Sequence, residues 1–294
     1  MKIGAVVILY KPDLKEAQAL IDSVSKQTDV LCVVDNSFQP SDLELKKDNL
    51  NYHHFPHNIG IAAAQNVGLR DIKLSGCDFA LLLDQDSNIA KNFVFTLSNL
   101  LVASKIENQS VVAIGPKIIC SFSDKVVKPR VQREIANYED MVSVSQIISS
   151  GMMIDLARLN EIGWKEEGLF IDGVDHEWCW RARHKNFQIA IAKNIEMVHR
   201  LGDSRSEFAG ITYKVGAPIR LYYQFRNILL LSRRGYVPGY WKTRNLLVLP
   251  IRFLANALLQ ENRRQRMSYM FYGLWDGLRG KKGAYHENRG PDSV

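Results

Sequence analysis

Cysteine is scarce in this chain. The four cysteines, Cys32, Cys77, Cys120 and Cys179, form no CxxC pair and have no zinc-like spacing, so neither a disulfide scaffold nor a zinc module is encoded. A reduced, cytosolic protein is the expectation. No GxGxxG run follows a strand, which weakens a dinucleotide-dependent dehydrogenase. Internal repeats and low-complexity linkers are absent. Long apolar runs are also missing. The first ten residues are apolar but stop at Tyr10-Lys11-Pro12 with no cleavage site, and so read as a buried strand rather than a signal peptide. Acidic residues are few only toward the end. From Arg220 to Val294 there are 14 Lys/Arg against 4 Asp/Glu, a difference of +10, so a net charge of +7 leaves −3 for the rest.

The 46% hydrophobic content is enough for a large core. Through the first half, strand-like and helix-like segments alternate. Residues 2–9, 30–34, 50–55, 79–83 and 111–114 read as strands, and residues 14–27, 61–74 and 92–101 as helices. Residues 120–138 are polar and read as an excursion or a pair of edge strands. Residues 149–154 and 189–198 return to strand character. This alternation predicts an α/β fold with a mixed, mostly parallel, Rossmann-like sheet flanked by helices. Ligands of such sheets bind beyond the carboxyl ends of the strands. The polar groups Tyr10-Lys11, Asp35-Asn36, Asn58 and Asp84–Asp86 each follow an apolar strand, so they should converge on one edge.

Several of these groups point to chemistry. Two carboxylates, Asp84 and Asp86, after a buried strand are costly unless a cation compensates them; a divalent ion with oxygen ligands would also bridge to phosphate. A helix N-cap at Asp86 is the plainer alternative. Asn58-Ile59-Gly60 before an alanine-rich helix allows close backbone approach and offers free N–H groups to an anion, or else simply caps a tightly packed helix. The segment from Asp172 to Arg181 packs three acids between two tryptophans and an arginine. Asp175 falls near the start of a helix, where it could cap or act as a general base. His199 could complete a metal site or be structural.

In their order, these elements resemble glycosyltransferase family 2, with the GT-A fold. The carriers are residues 6–10, 33–37, Asn58-x-Gly60 with Asn66-x-Gly68, Asp84-x-Asp86, Ser149-Ser150-Gly151, Asp175-x-Glu177-x-Cys179-x-Arg181 and His199-x-x-Gly202-x-Ser204. They span residues 3–205. The stretch from Phe170-Ile171-Asp172 to Arg181, with Tyr222-Tyr223-x-x-Arg226-Asn227, is most similar to bacterial rhamnosyltransferases.

The resemblance implies an inverting transfer of a sugar, L-rhamnose from dTDP-L-rhamnose, to a hydroxyl of a lipid-diphosphate-linked glycan in cell-surface polysaccharide synthesis. A UDP- or GDP-linked donor is the alternative within the family. It implies a divalent metal, Mn2+ or Mg2+, held by Asp86 with His199 at the metal or diphosphate. Tyr10, Asp35, Asn36, Asn58, Gly60, Asn66, Asp84 and Arg181 would serve the donor, with Asp35 at the nucleobase and Asp84 near the ribose. Ser150, Gly151, Glu177 and Trp178 would lie on the acceptor side, and Asp175 matches the family's catalytic base. One departure is that many members carry Glu directly before that Asp, whereas Val174 stands here.

A catalytic domain over residues 1–215 and a helical, basic region over 216–294 are expected. Residues 246–259 are apolar but broken by Pro250 and Arg252, so they read as a helix on an anionic membrane face, or as a dimer contact, rather than a span. The expected location is cytoplasmic and peripheral on the inner membrane face. A nucleotidyltransferase would need a glycine-rich basic loop where Tyr10-Lys11-Pro12-Asp13 stands, and no nucleic-acid motif accompanies the basic end.

Overall fold

The computed structural model describes residues 1–106, 110–120, 134–199, 204–208, 211–215 and 217–285. The chain runs β1 (Ile3–Leu9), α1 (Leu14–Ser25), β2 (Val30–Asp35), β3 (Leu50–His54), α2 (Ile61–Leu74), β4 (Phe79–Asp84), α3 (Phe93–Ile106) and β5 (Val111–Cys120). It continues through β6 (Glu134–Asn137), β7 (Met141–Val144), β8 (Met152–Asp155), α4 (Leu159–Ile162), a 3-10 turn at Glu167–Leu169, α5 (Val174–His184) and β9 (Gln188–His199). A hairpin of β10 (Ser204–Phe208) and β11 (Ile211–Val215) precedes α6 (Pro218–Ser232), α7 (Gly239–Leu259) and α8 (Arg263–Arg279).

Nine strands form one mixed sheet in the order β3-β2-β1-β4-β8-β5-β9-β7-β6. The pairs β3-β2, β2-β1, β1-β4 and β5-β9 are parallel. β8 enters antiparallel between β4 and β5, and β7 and β6 close the far edge antiparallel. The parallel half is the one that the strand–helix alternation predicts. The antiparallel half comes from residues 134–155, where long-range pairing decides.

β1 illustrates why the sheet must be covered on both sides. Its odd residues, Ala5, Val7 and Leu9, join a core with Leu20, Ile21 and Val24 of α1 and Phe93 and Leu97 of α3. Its even residues, Val6 and Ile8, face a second core with Ala64, Leu69 and Ile72 of α2 and Trp178 and Cys179 of α5. This is the two-residue period of a strand buried on both faces. α2 lies unusually close. A Cβ at Gly68 would sit 2.3 Å from Val6 Cγ1, and one at Gly4 would sit 2.3 Å from Ile72 Cγ2. α1 begins at Asp13, whose Oδ1 accepts from the amides of Lys15 and Glu16, each at 3.0 Å.

A third core joins Ala62, Phe170, Val174 and Trp180 to Tyr222, Phe225, Leu231, Trp241 and Met270 of the C-terminal helices. α6 is pinned to the body by polar contacts as well. Arg226 donates to the carbonyls of Gly168 (3.2 Å) and Leu169 (2.9 Å). Asn227 donates to those of Leu169 (3.0 Å), Ile171 (2.7 Å) and Asp172 (2.9 Å). Both side chains are buried, and these bonds satisfy carbonyls along the segment that precedes α5.

Candidate active site

The strand register brings the sequence-distant acids together. Leu9 pairs with Asp35 and Ile8 pairs with Asp84, so the carboxyl ends of β2, β1 and β4 finish at one level. The backbone amide of Tyr10 donates to Gln85 Oε1 at 2.7 Å, and that of Lys11 to Ser37 Oγ at 2.9 Å, which ties the three loops into one rim. α5 then brings Asp175 to the same place. Its Oδ2 accepts from the backbone amide of Ser149 at 3.1 Å.

Charge marks this cluster. Burial raises the Asp84 carboxyl to about 7, the negative charges of Asp86 and Asp175 add to the rise, and Ser150 and Arg220 oppose it. Asp84, Asp86, Asp175, Ser150 and Arg220 are therefore electrostatic neighbours. The Ser87 and Ser150 hydroxyls meet at 2.9 Å between them. Arg220, from α6, pairs with Asp172 at 2.7 Å. A cleft of about 430 Å³ opens beside Asp86, walled by Glu16, Leu20 and Ser23 of α1, by Ser87–Ile89 and by Val198. Two buried atoms at the strand ends lack a hydrogen-bond partner among the described residues, Asn36 Oδ1 and Ser149 Oγ.

Other candidates are held differently. Asp35 is fully buried, and its two oxygens accept from the amides of Ser37 (2.9 Å) and Ser41 (2.8 Å) and the Tyr52 hydroxyl (3.0 Å). Burial pushes this carboxyl up, but hydrogen bonds from the side chains and amides of Ser37 and Ser41 outweigh it and hold it below the usual range. Asp35 thus shapes the loop at the end of β2. Asn58 is exposed and accepts from the Gly60 amide at 2.8 Å. Gly60 has φ +85, and a Cβ there would lie 2.6 Å from the Phe170 ring, so only glycine fits this turn.

Four expected contacts are turned inward. Asn66 exchanges hydrogen bonds with the backbone of Lys165, both at 2.9 Å, and donates to Glu167 at 2.7 Å, fastening α2 to the segment before α5. Trp178 is fully buried and its Nε1 donates to Gly163 O at 2.9 Å, leaving no ring face for a sugar. Glu177 has no exposed surface and accepts from Arg181 Nε (2.9 Å) and the Tyr236 hydroxyl (2.6 Å), with Arg234 at 3.0 Å. Arg181 also donates from Nη2 to Glu177 Oε2 (3.0 Å) and to the carbonyls of Ile162 (2.8 Å) and Trp164 (2.7 Å). Glu177 and Arg181 pair one turn apart on α5, and Arg234 and Tyr236, far along the chain, complete the contacts that bury them. His199 ends β9, opposite Cys120, and its side chain lies outside the described residues.

Sequence reasoning missed Arg220, which lay in a stretch read only as basic tail, and Ser87, which lies in the turn after Asp86. It also missed Lys165, a buried amine 4.7 Å from the Trp178 ring centroid and 3.7 Å from Met152 Sδ, whose pKa is lowered by burial. A separate trio, Cys32, His53 and Asp71, gathers its ligand atoms within 4.8 Å. Cys32 lies three residues before Asp35, about 10 Å along β2, and burial with Asp71 nearby keeps its thiol protonated. It is no substitute for the strand-end acids. The strand-end acids offer oxygen donors, the kind a hard divalent cation takes, and burial with the neighbouring acids raises Asp84 to about 7.

No family model matches the chain. It is 30% identical over 298 residues to the dTDP-rhamnosyl transferase RfbF of Shigella flexneri, covering 97% of this chain and 98% of that one. It is 24% identical over 247 residues to the low-salt glycan biosynthesis hexosyltransferase Agl10 of Haloferax volcanii, covering 78% and 75%. Among solved structures, S. aureus TarS 1-349 in complex with UDP-GlcNAc superposes with TM-score 0.57 at 18% identity, over 96% of this chain and 82% of that one. GalNAc-T7 with UDP, GalNAc and Mn2+ gives TM-score 0.59 at 13% identity, over 95% of this chain and 56% of that one. At such identities these two speak for the fold alone.

Proposed function

The chain belongs to glycosyltransferase family 2, among its bacterial rhamnosyltransferase-like members, and from that premise we propose that it transfers L-rhamnose from dTDP-L-rhamnose to a hydroxyl of a lipid-linked glycan, with inversion. The observation that carries the mechanism is the convergence of Asp84, Asp86 and Asp175 at the carboxyl ends of the strands. The donor sugar rests on the RfbF likeness. The lipid-linked acceptor rests on the basic, apolar C-terminal helices.

In this reading, Asp175 is the general base. Its carboxylate is anchored by the Ser149 amide, which fixes one oxygen and leaves the other for the acceptor. As the acceptor oxygen attacks the anomeric carbon, its proton passes to Asp175 and the bond to the nucleoside diphosphate breaks with its electron pair. Asp86, with Asp84 beside it and His199 as a further candidate, would hold a divalent metal, which supplies positive charge to the diphosphate oxygens. Arg220 adds a fixed positive charge from α6 at the same acids. Asn36 and Tyr10, on the rim, would meet the nucleotide.

The test is a panel of dTDP-, UDP- and GDP-sugars, read by thermal shift and by donor hydrolysis, with Mn2+, with Mg2+ and with EDTA. dTDP-L-rhamnose should stabilise most, and stabilisation should grow with its concentration. Preference for another donor would overturn the rhamnose assignment. Undiminished metal-dependent turnover in Asp86→Ala would remove the metal assignment.

A further inference from the structure

α7 has an outer surface of unusual composition. From Leu246 to its end, every exposed position is apolar: Leu246, Leu247, Pro250, Ile251, Leu254, Leu258 and Leu259. Leu247, Ile251, Leu254 and Leu258 follow helical spacing on one stripe and remain 58–68% exposed. α8 repeats the pattern. Its inner face is pressed against α6 through small residues: a Cβ at Gly273 would lie 2.5 Å from Tyr222 O, and one at Gly277 would lie 3.0 Å from Arg226 O. Its outer stripe leaves Phe271 at 60%, Trp275 at 46% and Leu278 at 63%. An isolated exposed leucine needs no explanation, but two stripes on adjacent helices do.

The charge around these stripes indicates what covers them. Between Gly239 and Lys282 nine Lys/Arg accompany two acids, and one of the acids, Asp276, is buried beneath α8. Arg263 and Arg264 stand exposed at the start of α8, and Arg279 stacks 4.2 Å from the Trp275 ring centroid at its end. A tryptophan with an arginine on its face suits the boundary between headgroups and acyl chains. A second copy of the same surface would bring like charges together. Among the described residues, no helix is long and apolar enough to cross a membrane.

We infer that α7 and α8 form an in-plane docking surface for a bilayer rich in anionic phospholipid, with the leucine stripe and the Phe271–Leu278 stripe seated among the acyl chains and the flanking arginines on the headgroups. The surface stands on the helices themselves and does not depend on which sugar is transferred. In relation to the proposed lipid-linked acceptor, it would hold the strand-end site near the membrane plane.

Vesicle flotation of the full chain tests this, using phosphatidylcholine vesicles alone and with about one third phosphatidylglycerol. The chain should float with the anionic vesicles and lose at least about tenfold in partitioning without phosphatidylglycerol or in 0.5 M salt. Leu247→Glu/Ile251→Glu/Trp275→Glu should lose at least about tenfold while keeping its circular dichroism and its lipid-free donor hydrolysis. Arg263→Ala/Arg264→Ala should lose affinity only for anionic vesicles. Wild-type chain that stays off anionic vesicles, or a triple variant that floats equally well, overturns the inference. So does a wild-type dimer that the triple variant splits without any change in flotation. Donor hydrolysis, measured without lipid, reports separately on the proposed function.

Discussion

Two acids two residues apart on α5, Asp175 and Glu177, sit in clusters of charge that behave in opposite ways. Glu177 is walled off from water, yet it is balanced by Arg181, Arg234 and the Tyr236 hydroxyl. Burial pushes its carboxyl up, but those partners hold it below the usual range. Asp175 stands with Asp84 and Asp86, and there burial first, and then the two neighbouring acids, drive Asp84 up to about 7 against the opposing effects of Ser150 and Arg220. A balanced buried network positions a helix. A cluster of acids at a strand edge, with one carboxyl raised toward neutrality, marks a candidate reaction site.

The sharpest test of this contrast is Asp175→Asn. Transfer should fall by about 10³-fold or more, with donor affinity measured calorimetrically held within about threefold. Equal losses in kcat and donor binding would place Asp175 with the structural acids. Next in size is Glu177→Ala, which strands Arg181 and Arg234 in the interior. Urea unfolding should show a loss of about 3–5 kcal/mol, whereas the same truncation at Asp86 should cost little stability.

Asp84 offers a pH test in metal-free buffer. Its folded value lies above that of an unfolded aspartate, so the proton favours the fold: stability from this group is full below about pH 4 and is lost as pH rises through about 7. Asp84→Asn should then raise stability at pH 8 by on the order of 2 kcal/mol, allowing for solvent screening, and change little at pH 4. A variant with no pH-dependent gain would show that the acids are already balanced. The smallest effect is expected at Arg220. Arg220→Ala should raise the donor KM about tenfold, about 1.4 kcal/mol, with the unfolding midpoint nearly unmoved.

The parallel half of the molecule was legible from local pattern. β1, β2 and β4 end where polar residues interrupt their apolar runs, and α2 spans Ile61–Leu74 as its alanine-rich spacing predicts. Apolar runs and helical periods are properties of neighbouring residues, so they survive folding. The strand at Met141–Val144 was not visible, because its place is fixed by pairing with residues some fifty positions later. β5 runs past the expected stop at Ile114 to Cys120, since a register shift at Gly115/Lys117 accommodates Pro116 in the strand. In the site, the carboxylates were readable as types in order. The division between Asp175, which faces the rim, and Glu177, Trp178 and Arg181, which face inward, depends on Tyr236, Arg234 and the carbonyls of residues 162–164. No local window contains those partners.

The staple of Arg226 and Asn227 onto the carbonyls of residues 168–172 has a practical consequence. That loop leads directly into Asp175, and the Gly283 amide also donates to Gly168 O at 2.8 Å. Trimming the chain near residue 216 to obtain a minimal catalytic fragment would therefore unfasten the segment that leads into Asp175. The last helices are as much a mould for the active centre as an appendage to it, and engineered chimaeras that swap acceptor preference should exchange α6 together with residues 166–184 as one cassette.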